Sequence, residues 1–304
     1  MREAFDVQGL RVDEARAFRD KEIMKSVLDA HGVRTPHHYR ASTTAEVQEA
    51  ASKVGYPLIV KPIDGAGSAD THVVRSAEDL NPILEAVKHV PEVSVEEFVE
   101  GEEFTYDAIL SGGETLFENV AWYRPKPLVA RQNPWISPQA VCLSDIRQPD
   151  IAPGVELGRR ALKALGLGKG MAHMEWYRSN KNGEAIFGEV GARAPGGRLS
   201  HGMNLSCEGD VFKLWAEAIT SGKSTQSMAK KFNAALVFKR ATGSGRTVTR
   251  VEGLERILSE SGEHIPVVDL VPIGEPRRDW TQVVTGDGWM VARHMELSLS
   301  LIHI

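Results

Sequence analysis

Two glutamates lie among apolar neighbours on either side of an Asn-Gly pair. Glu175 and Glu189 are equally far from Asn182, so a simple hairpin places their side chains opposite each other unless a bulge shifts the register by one residue. Two carboxylates ~5 Å apart repel by about 3 kcal/mol at an effective dielectric of 20, so such a pair requires a cation. Their oxygens suit Mg²⁺, which prefers one or two carboxylates together with phosphate oxygens. The alternative is that both side chains point to solvent and pair with Arg178 or Lys181.

A lysine ends an apolar strand earlier in the chain. Lys61 follows the run 58–60, and a partly buried ammonium group requires an anionic partner. In the loop that follows, Gly65, Gly67 and Ser68 offer backbone amides that can cover a phosphate. This is not a P-loop, because the lysine precedes the glycines. The alternative is a lysine whose stem lies along the surface before a flexible turn.

A third group of residues lies where one strand ends and the next begins. Glu96, Glu97, Phe98 and Val99 end the first strand, and Glu103 begins the second. Free backbone groups at a strand end can hydrogen-bond a flat heterocycle such as adenine, and a nearby carboxylate can hold ribose hydroxyls. The alternative for this segment is an acidic surface turn.

The composition excludes several classes of protein. The 304 residues carry a formal net charge of −5 with Lys and Arg spread along the chain, so no basic patch for nucleic acid is expected. Cys142 and Cys207 are far apart and form no CxxC pair, which supports neither a disulfide framework nor a zinc site. No apolar run approaches ~18 residues and the N-terminal segment is charged, so neither a membrane anchor nor a signal peptide is predicted. We expect a cytoplasmic enzyme or binding protein with no nucleic-acid or membrane partner.

Helical and strand patterns alternate along the chain, but hairpins interrupt a purely parallel arrangement. The predicted class is therefore α+β with at least two lobes. We expect a linker over residues 1–12, a first lobe over 13–98, a second lobe with the metal site over 99–231, and a small β-rich mixed lobe over 232–304. The final segment, LSLSLIHI, brings no turn or closing element, and we expect a truncated or artefactual end there.

In this order along the chain, the lysine, the glycine loop, the strand end and the two glutamates resemble the ATP-grasp superfamily. The likeness extends from about Phe18 to about Lys223, and EGEEFTYDAIL and GEVGARAPGG are similar to segments of its carboxylate–amine ligase branch. The resemblance implies an ATP-grasp fold, in which two α+β lobes hold ATP between them. It also implies that ATP is bound together with Mg²⁺, with Mn²⁺ as a second candidate.

The resemblance assigns contacts to each part of the nucleotide. The phosphates are assigned to Lys21, to Lys61, which also lies near the adenine, and to the loop with Gly65, Gly67 and Ser68. Adenine and ribose are assigned to Glu96, Glu97, Phe98, Val99 and Glu103. Mg²⁺ is assigned to Glu175 and Glu189, and stabilisation of the phosphoryl group in flight to Arg193.

Two features depart from the family pattern. Family members often carry Asn two residues after the second metal glutamate, but this position is Gly191, so a water or a neighbouring side chain must replace one metal ligand. Such ligases also usually carry a Rossmann-like domain before the ATP-grasp lobes, whereas the resemblance begins near Phe18. A missing N-terminal domain or a partner chain is therefore expected, and a homodimer stays open.

The implied reaction is the ATP-dependent joining of a small-molecule carboxylate to an amine through an acyl phosphate. Lys61 and Arg193 would neutralise charge, Arg198 is a candidate substrate anchor, and the segment YRPKPLVARQN is either a lid or a solvated loop. Two other functions stay open. One is a different ATP-grasp reaction, such as the bicarbonate activation of a biotin carboxylase, and the other is a non-catalytic ATP-binding module or fragment.

Overall fold

The computed structural model describes residues 5, 9–64, 70–280, 282–283 and 285–300. Its first part contains four helices and four strands, in the order α1 (Val12–Ala17), α2 (Lys21–Ala30), β1 (His38–Ala41), α3 (Thr44–Val54), β2 (Leu58–Pro62), β3 (His72–Val74), α4 (Ala77–Val87) and β4 (Val93–Glu97). The strands form an antiparallel sheet in the order β1-β4-β2-β3.

Helix α3 shows why this part folds locally as it does. The Thr43 side chain caps the amide of Glu46, whose carboxylate returns to the Thr43 amide, so both helix-start donors are satisfied. Val47 and Ala50 on the inner face pack against the sheet, and the helix ends at Gly55 with a φ of 81°. The positive φ is readily adopted by a residue without a Cβ atom.

The rest of the chain builds a second, larger sheet. Its elements are β5 (Gly101–Ser111), β6 (Glu114–Asn119), β7 (Ala121–Arg124), α5 (Pro127–Gln132), β8 (Gln139–Cys142), α6 (Ala152–Ala164), β9 (Gly170–Ser179), β10 (Ala185–Gly191), α7 (Leu199–Cys207), α8 (Val211–Thr220), β11 (Asn233–Lys239), α9 (Leu254–Ser261), β12 (Val267–Leu270), β13 (Gly288–His294) and α10 (Leu297–Ser300).

The nine strands of this sheet run in the order β10-β9-β5-β7-β8-β11-β13-β12, with β6 paired to β5. Strands from residue 233 onward thus extend the sheet that β5 begins, through the pairing of β11 with β8. The α+β class predicted from the sequence is confirmed. The boundaries at residues 98 and 231 stay predictions, and the second of them falls between strands of one continuous sheet.

Each face of the large sheet carries its own apolar core. Helices α2 and α6 cover one face, where Met24 and Leu28 pack with strand residues such as Trp176, and α7 and α8 cover the other. Helix α2 therefore lies between the two sheets, with its apolar side against the large one. No helix in the described part of the chain is long and apolar enough to cross a membrane.

Two glycines allow α6 to approach the large sheet closely. A Cβ atom at Gly158 would overlap the ring of Tyr106, and one at Gly154 would overlap the ring of Trp176, and both rings are buried. A Cβ atom at Gly168, in the loop after α6, would meet nothing within 4 Å. Gly158 is therefore required by packing, whereas Gly168 is not.

We expect Gly158→Ala to lower the free energy of unfolding by about 1–3 kcal/mol, because the overlap with Tyr106 outweighs the higher helix propensity of alanine. Urea unfolding followed by circular dichroism measures the change, and Gly168→Ala is the matched control, expected to stay within about 0.5 kcal/mol of the parent chain. Equal unfolding midpoints for the two variants would contradict this packing argument.

Candidate active site

A cleft of about 450 Å³ opens between the small sheet and the large one. The small sheet contributes the ends of β2 and β4, and the large sheet contributes β5, β9, β10 and β11. Helix α5 also lines the cleft. It belongs to the Pro-rich segment that was predicted to be either a lid or a solvated loop. A volume of this size is typical of a small-molecule site.

The two glutamates of the hairpin face each other as predicted. Glu175 of β9 pairs with Glu189 of β10, and the register shifts between Phe187 and Glu189, so Gly188 is the extra residue of a bulge. A Cβ atom at Gly188 would lie 2.8 Å from the carbonyl oxygen of Glu175, so a larger residue does not fit there. Both carboxylates line the cleft, with 33% and 35% of their side chains exposed.

Negative charge is concentrated on this wall of the cleft. Burial and the nearby charge of Glu189 raise the pKa of Glu175. Glu103 on β5 is buried, and its burial together with the charge of Glu175 raises its pKa to about 8. The cation nearest to Glu189 is Lys21, whose Nζ lies 3.3 Å from Glu189 Oε2 and donates to the carbonyl of Ile63 at 3.3 Å.

This donor set fits a divalent cation, because it offers hard carboxylate oxygens whose mutual repulsion a metal ion would relieve. In the described part of the chain, no group of three or more His, Cys, Asp or Glu side chains is already arranged to hold a metal ion by itself. Glu175 and Glu189 would therefore need oxygen ligands from a phosphate to complete a coordination shell.

The opposite wall is built around one buried carboxylate between two lysines. Lys61 Nζ lies 2.9 Å from Glu96 Oε2, and Lys25 of α2 forms an ion pair with Glu96 Oε1. The expected anionic partner of Lys61 is therefore Glu96. Burial alone would raise the pKa of Glu96, but the charges of Lys25 and Lys61 lower it well below its usual value. Burial lowers the pKa of Lys25 to about 8, although Glu96 opposes the shift.

Lys25 is not among the site residues predicted from the sequence, although its spacing from Lys21 could have indicated it. Lys21 and Lys25 are four residues apart, so they lie on the same face of α2, and both are buried. Two lysines on one helix face between apolar positions indicate an anionic partner. Glu96 is the partner of Lys25, whereas Lys21 lies beside Glu189.

The segment that joins the two sheets passes along the mouth of the cleft. Glu97 is held by Arg34, whose Nη2 donates to its carboxylate at 2.9 Å, and the Glu97 amide donates to the carbonyl of His37 at 2.8 Å. Val99 is buried, and among the described residues no acceptor lies within hydrogen-bond distance of its amide. Lys126 lies over the ring of Phe98, with its Nζ 5.6 Å from the ring centroid.

A histidine that the sequence reading passed over also lines the cleft. His173 is buried on β9, and its Nδ1 lies 2.6 Å from Asp107 Oδ1. Asp107 in turn accepts hydrogen bonds from Thr105 Oγ1 at 2.8 Å and from Asn119 Nδ2 at 2.9 Å. Burial would lower the pKa of His173, but the charge of Asp107 raises it. The signal in the sequence was the spacing, because His173 and Glu175 point to the same face of one strand.

The arginines differ in their positions. Arg193 lines the cleft with an exposed side chain, and its Nη1 donates to the carbonyl of Ala194 at 2.8 Å. Arg198 is exposed with its guanidinium 5.4 Å from the ring centroid of Trp289, and it is not among the described residues that line the cleft. Arg240 of the connection after β11 does line it. The predicted phosphate-covering residues Gly65, Gly67 and Ser68 lie outside the described residues.

Comparisons with known proteins agree with this arrangement of two sheets around a cleft. A family model described as an ATP-grasp domain matches residues 18–120. This match covers about a third of the chain and indicates an ATP-grasp domain in that part. The crystal structure of an L-amino acid ligase from Bacillus licheniformis superposes on this chain with a TM-score of 0.77 and 22% identity, over 98% of this chain and 72% of that one. The predicted ATP-grasp fold is therefore confirmed.

Two curated relatives match parts of this chain. An L-arginine-specific L-amino acid ligase of Bacillus subtilis is 28% identical over 210 residues, which cover 66% of this chain and 49% of the relative. A D-alanine–D-alanine ligase of Clostridium beijerinckii is 36% identical over 89 residues, which cover 28% of this chain and 29% of the relative. The chain spans half or less of the length of these relatives.

We expect Glu96→Gln to lower the free energy of unfolding by about 3–5 kcal/mol, because the amide leaves two buried ammonium groups without a carboxylate. The control is Glu92→Gln. Glu92 precedes the same strand and pairs with Arg40 at 2.6 Å on the exposed surface, where such a pair contributes about 0–1 kcal/mol. Urea unfolding measures both variants. A loss for Glu96→Gln no larger than that for Glu92→Gln would contradict a buried role for Glu96.

The raised pKa of Glu103 predicts how stability depends on pH without nucleotide. The folded chain keeps the Glu103 proton up to a pH of about 8, whereas the unfolded chain releases it near its usual value of 4.5. Between these values the folded state binds more protons, so stability falls as pH rises, by up to about 1.4 kcal/mol per pH unit. Thermal unfolding from pH 5 to 9 should show a flatter curve for Glu103→Gln than for the parent chain. The exposed-site control Glu114→Gln should follow the parent, and parallel curves for all three would contradict the assignment.

Proposed function

We propose that this chain binds Mg-ATP in the cleft and uses it to join a small-molecule carboxylate to an amine through an acyl phosphate. The observation that carries the proposal is the opposition of charge across one cleft, with the Glu175–Glu189 pair on one wall and Lys61 on the other. In this proposal the lobes 13–98 and 99–231 close on the nucleotide.

The metal ion and the phosphates belong at the meeting point of the two walls. Glu175 and Glu189 would hold Mg²⁺, which supplies positive charge against the phosphate oxygens when it is bound. Lys61 would contact the phosphates from β2. Lys21 lies beside Glu189 and would contact the same phosphates. These groups position the reactants and neutralise charge, which is most of what phosphoryl transfer requires.

The adenosine would lie along the segment that joins the sheets. The Val99 amide, which has no acceptor among the described residues, is a donor for an adenine ring nitrogen, and Phe98 and Glu97 flank it. Glu103 would bind the ribose hydroxyls. With its raised pKa, the Glu103 carboxyl can both donate and accept a hydrogen bond near neutral pH. Glu96 enters this proposal through Lys61, since its carboxylate holds that lysine in place.

The chemical steps follow from this placement. A carboxylate oxygen of the substrate attacks the γ-phosphorus, the bond from that phosphorus to the β-γ bridging oxygen breaks, and ADP leaves. Arg193, on the exposed side of the cleft, would neutralise charge on the phosphoryl group during transfer. The amine then attacks the acyl carbon, loses a proton and expels phosphate, which leaves an amide.

Amino acids are the substrates that we propose, because the two curated relatives are named as ligases of amino acids. A substrate of this kind carries a carboxylate that needs a cation. Arg240 lines the cleft, where its Nη1 donates to the carbonyl oxygens of Ala130 at 2.6 Å and Asn133 at 3.3 Å, and its guanidinium lies 4.0 Å from the ring centroid of Trp280. These partners are neutral, so the charge of Arg240 can bind a substrate carboxylate. Arg198 stays a second candidate, although its position over Trp289 requires a movement before it contacts a ligand in the cleft.

The purified chain with Mg-ATP and a mixture of amino acids should release ADP and phosphate, and mass spectrometry should find a dipeptide. We expect Glu189→Gln to slow the release by about a hundredfold or more, because the loss of one metal ligand weakens charge stabilisation. Glu114→Gln, on the exposed face of β6, is the control and should keep the parent rate.

Other outcomes would contradict this function in different ways. ADP release that depends on bicarbonate and gives no amide would indicate carboxyl activation of another kind. ATP binding without turnover for any carboxylate and amine supplied would indicate a nucleotide-binding module. An unchanged rate for Glu189→Gln would refute the metal assignment even if a dipeptide is formed.

A further inference from the structure

Four positions form one square on the cleft side of the β9–β10 hairpin. Glu175 pairs with Glu189, and His173 pairs with Gly191. Side chains two residues apart on a strand point to the same face, so all four positions face the cleft. Three corners of the square carry groups that can bind a metal ion, and the fourth, Gly191, carries no side chain.

The space above Gly191 is already filled. A Cβ atom at this position would lie 3.2 Å from both Cγ and Nε of Arg193, because the Arg193 side chain folds back over the glycine. A side chain at position 191 would require Arg193, one of the residues proposed for catalysis, to shift by a few tenths of an ångström. Of the other three corners, His173 is the one to which no role has yet been assigned.

His173 has the hydrogen bonding of a metal-binding histidine. Its Nδ1 lies 2.6 Å from Asp107 Oδ1, and metal-binding histidines almost always donate the other ring N–H to a carboxylate, a backbone carbonyl or a water. Thr105 and Asn119 hold Asp107 in turn. This arrangement fixes the ring and leaves Nε2 facing the glutamates, 3.9 Å from Glu175 Oε1. Bonds of about 2.1 Å from one ion to each atom can span that separation.

We propose that His173 Nε2 is the third protein ligand of the divalent cation bound by Glu175 and Glu189. This inference rests on the proposed function for the presence of the ion, but it concerns which residues bind it and which metal they prefer. Glu189, now 3.3 Å from Lys21, would turn toward Glu175 on coordination, and phosphate oxygens would complete the shell. The ion takes the place of a proton on Nε2.

A nitrogen ligand changes the preferred metal. Carboxylate and water ligands suit Mg²⁺, whereas imidazole favours transition metals, and Mn²⁺ accepts both kinds of ligand. The site should therefore bind Mn²⁺ more tightly relative to Mg²⁺ than a site with only oxygen ligands. The His173→Ala variant should lose this preference by about tenfold or more, while it keeps the two carboxylates.

Pulsed electron paramagnetic resonance of Mn²⁺ tests the inference without turnover. The protein is prepared with ¹⁵N-histidine and titrated with Mn²⁺, alone and with a non-hydrolysable ATP analogue. A ¹⁵N coupling to Mn²⁺ is expected in the parent chain, and it should vanish in His173→Ala. The control His201→Ala changes an exposed histidine near Trp289 and should leave the coupling in place.

A second variant separates metal binding from folding. In His173→Ala with Gly191→Asn, an oxygen ligand is offered from the opposite corner, so Mg²⁺ affinity should partly return while the histidine coupling stays absent. Absence of any ¹⁵N coupling in the parent chain with bound Mn²⁺, or parent Mn²⁺ affinity in His173→Ala, would overturn the inference. A histidine coupling in a chain that never forms an amide would keep it and refute only the proposed ligase activity.

Discussion

The cleft depends on the ion pairs that the buried carboxylate of Glu96 forms with Lys25 and Lys61. Glu96 lies on β4 of the small sheet, yet its partners come from β2 and from α2, whose apolar side packs on the large sheet. A carboxylate buried among apolar strands is costly, and two cations compensate for that cost only if the geometry is held. The cluster therefore fixes Lys61 at the cleft, and it ties the small sheet to a helix of the large one.

The two walls of the cleft carry opposite net charges. Lys25, Lys61 and Glu96 give the small-sheet wall an excess of positive charge, whereas Glu175 and Glu189 give the opposite wall an excess of negative charge. Glu103 adds no charge near neutral pH, because its pKa is raised to about 8. The walls come together where Lys21 approaches Glu189. A nucleotide bound with a divalent cation matches both walls, because its phosphates are negative and can face the lysines while the cation is positive and can face the carboxylates. This complementarity is a stronger argument for Mg-ATP than either wall alone, because each wall is destabilising without an opposite charge.

The sequence predicted those features that depend on local pattern. The pairing of Glu175 with Glu189 followed from counting along a hairpin, although the pairs nearer the turn are offset by one residue and the bulge at Gly188 restores the register. Lys61 was predicted to need an anion, but Glu96 was assigned to adenine, because its direction depends on how α2 packs against β4. The position of Arg240 could not be predicted from local pattern either, because Arg240 reaches the cleft only through the extension of the large sheet by β11. Contacts between distant segments leave no periodicity in the sequence.

In the proposed metal site, the strand opposite Gly191 offers a ligand at the same level of the hairpin. On an antiparallel pair, the residues at 173 and 191 lie directly opposite, so a ligand offered by either strand reaches the same region of the cleft. Along β10 alone, Gly191 offers no side chain to a metal ion. On the opposite strand, however, His173 is already held by Asp107. The proposed ligand therefore belongs to the cross-strand pair of His173 and Gly191 rather than to one position of a motif. Because the histidine would bring nitrogen where an amide would bring oxygen, a ligand from this side of the hairpin would also change which metal the proposed site prefers.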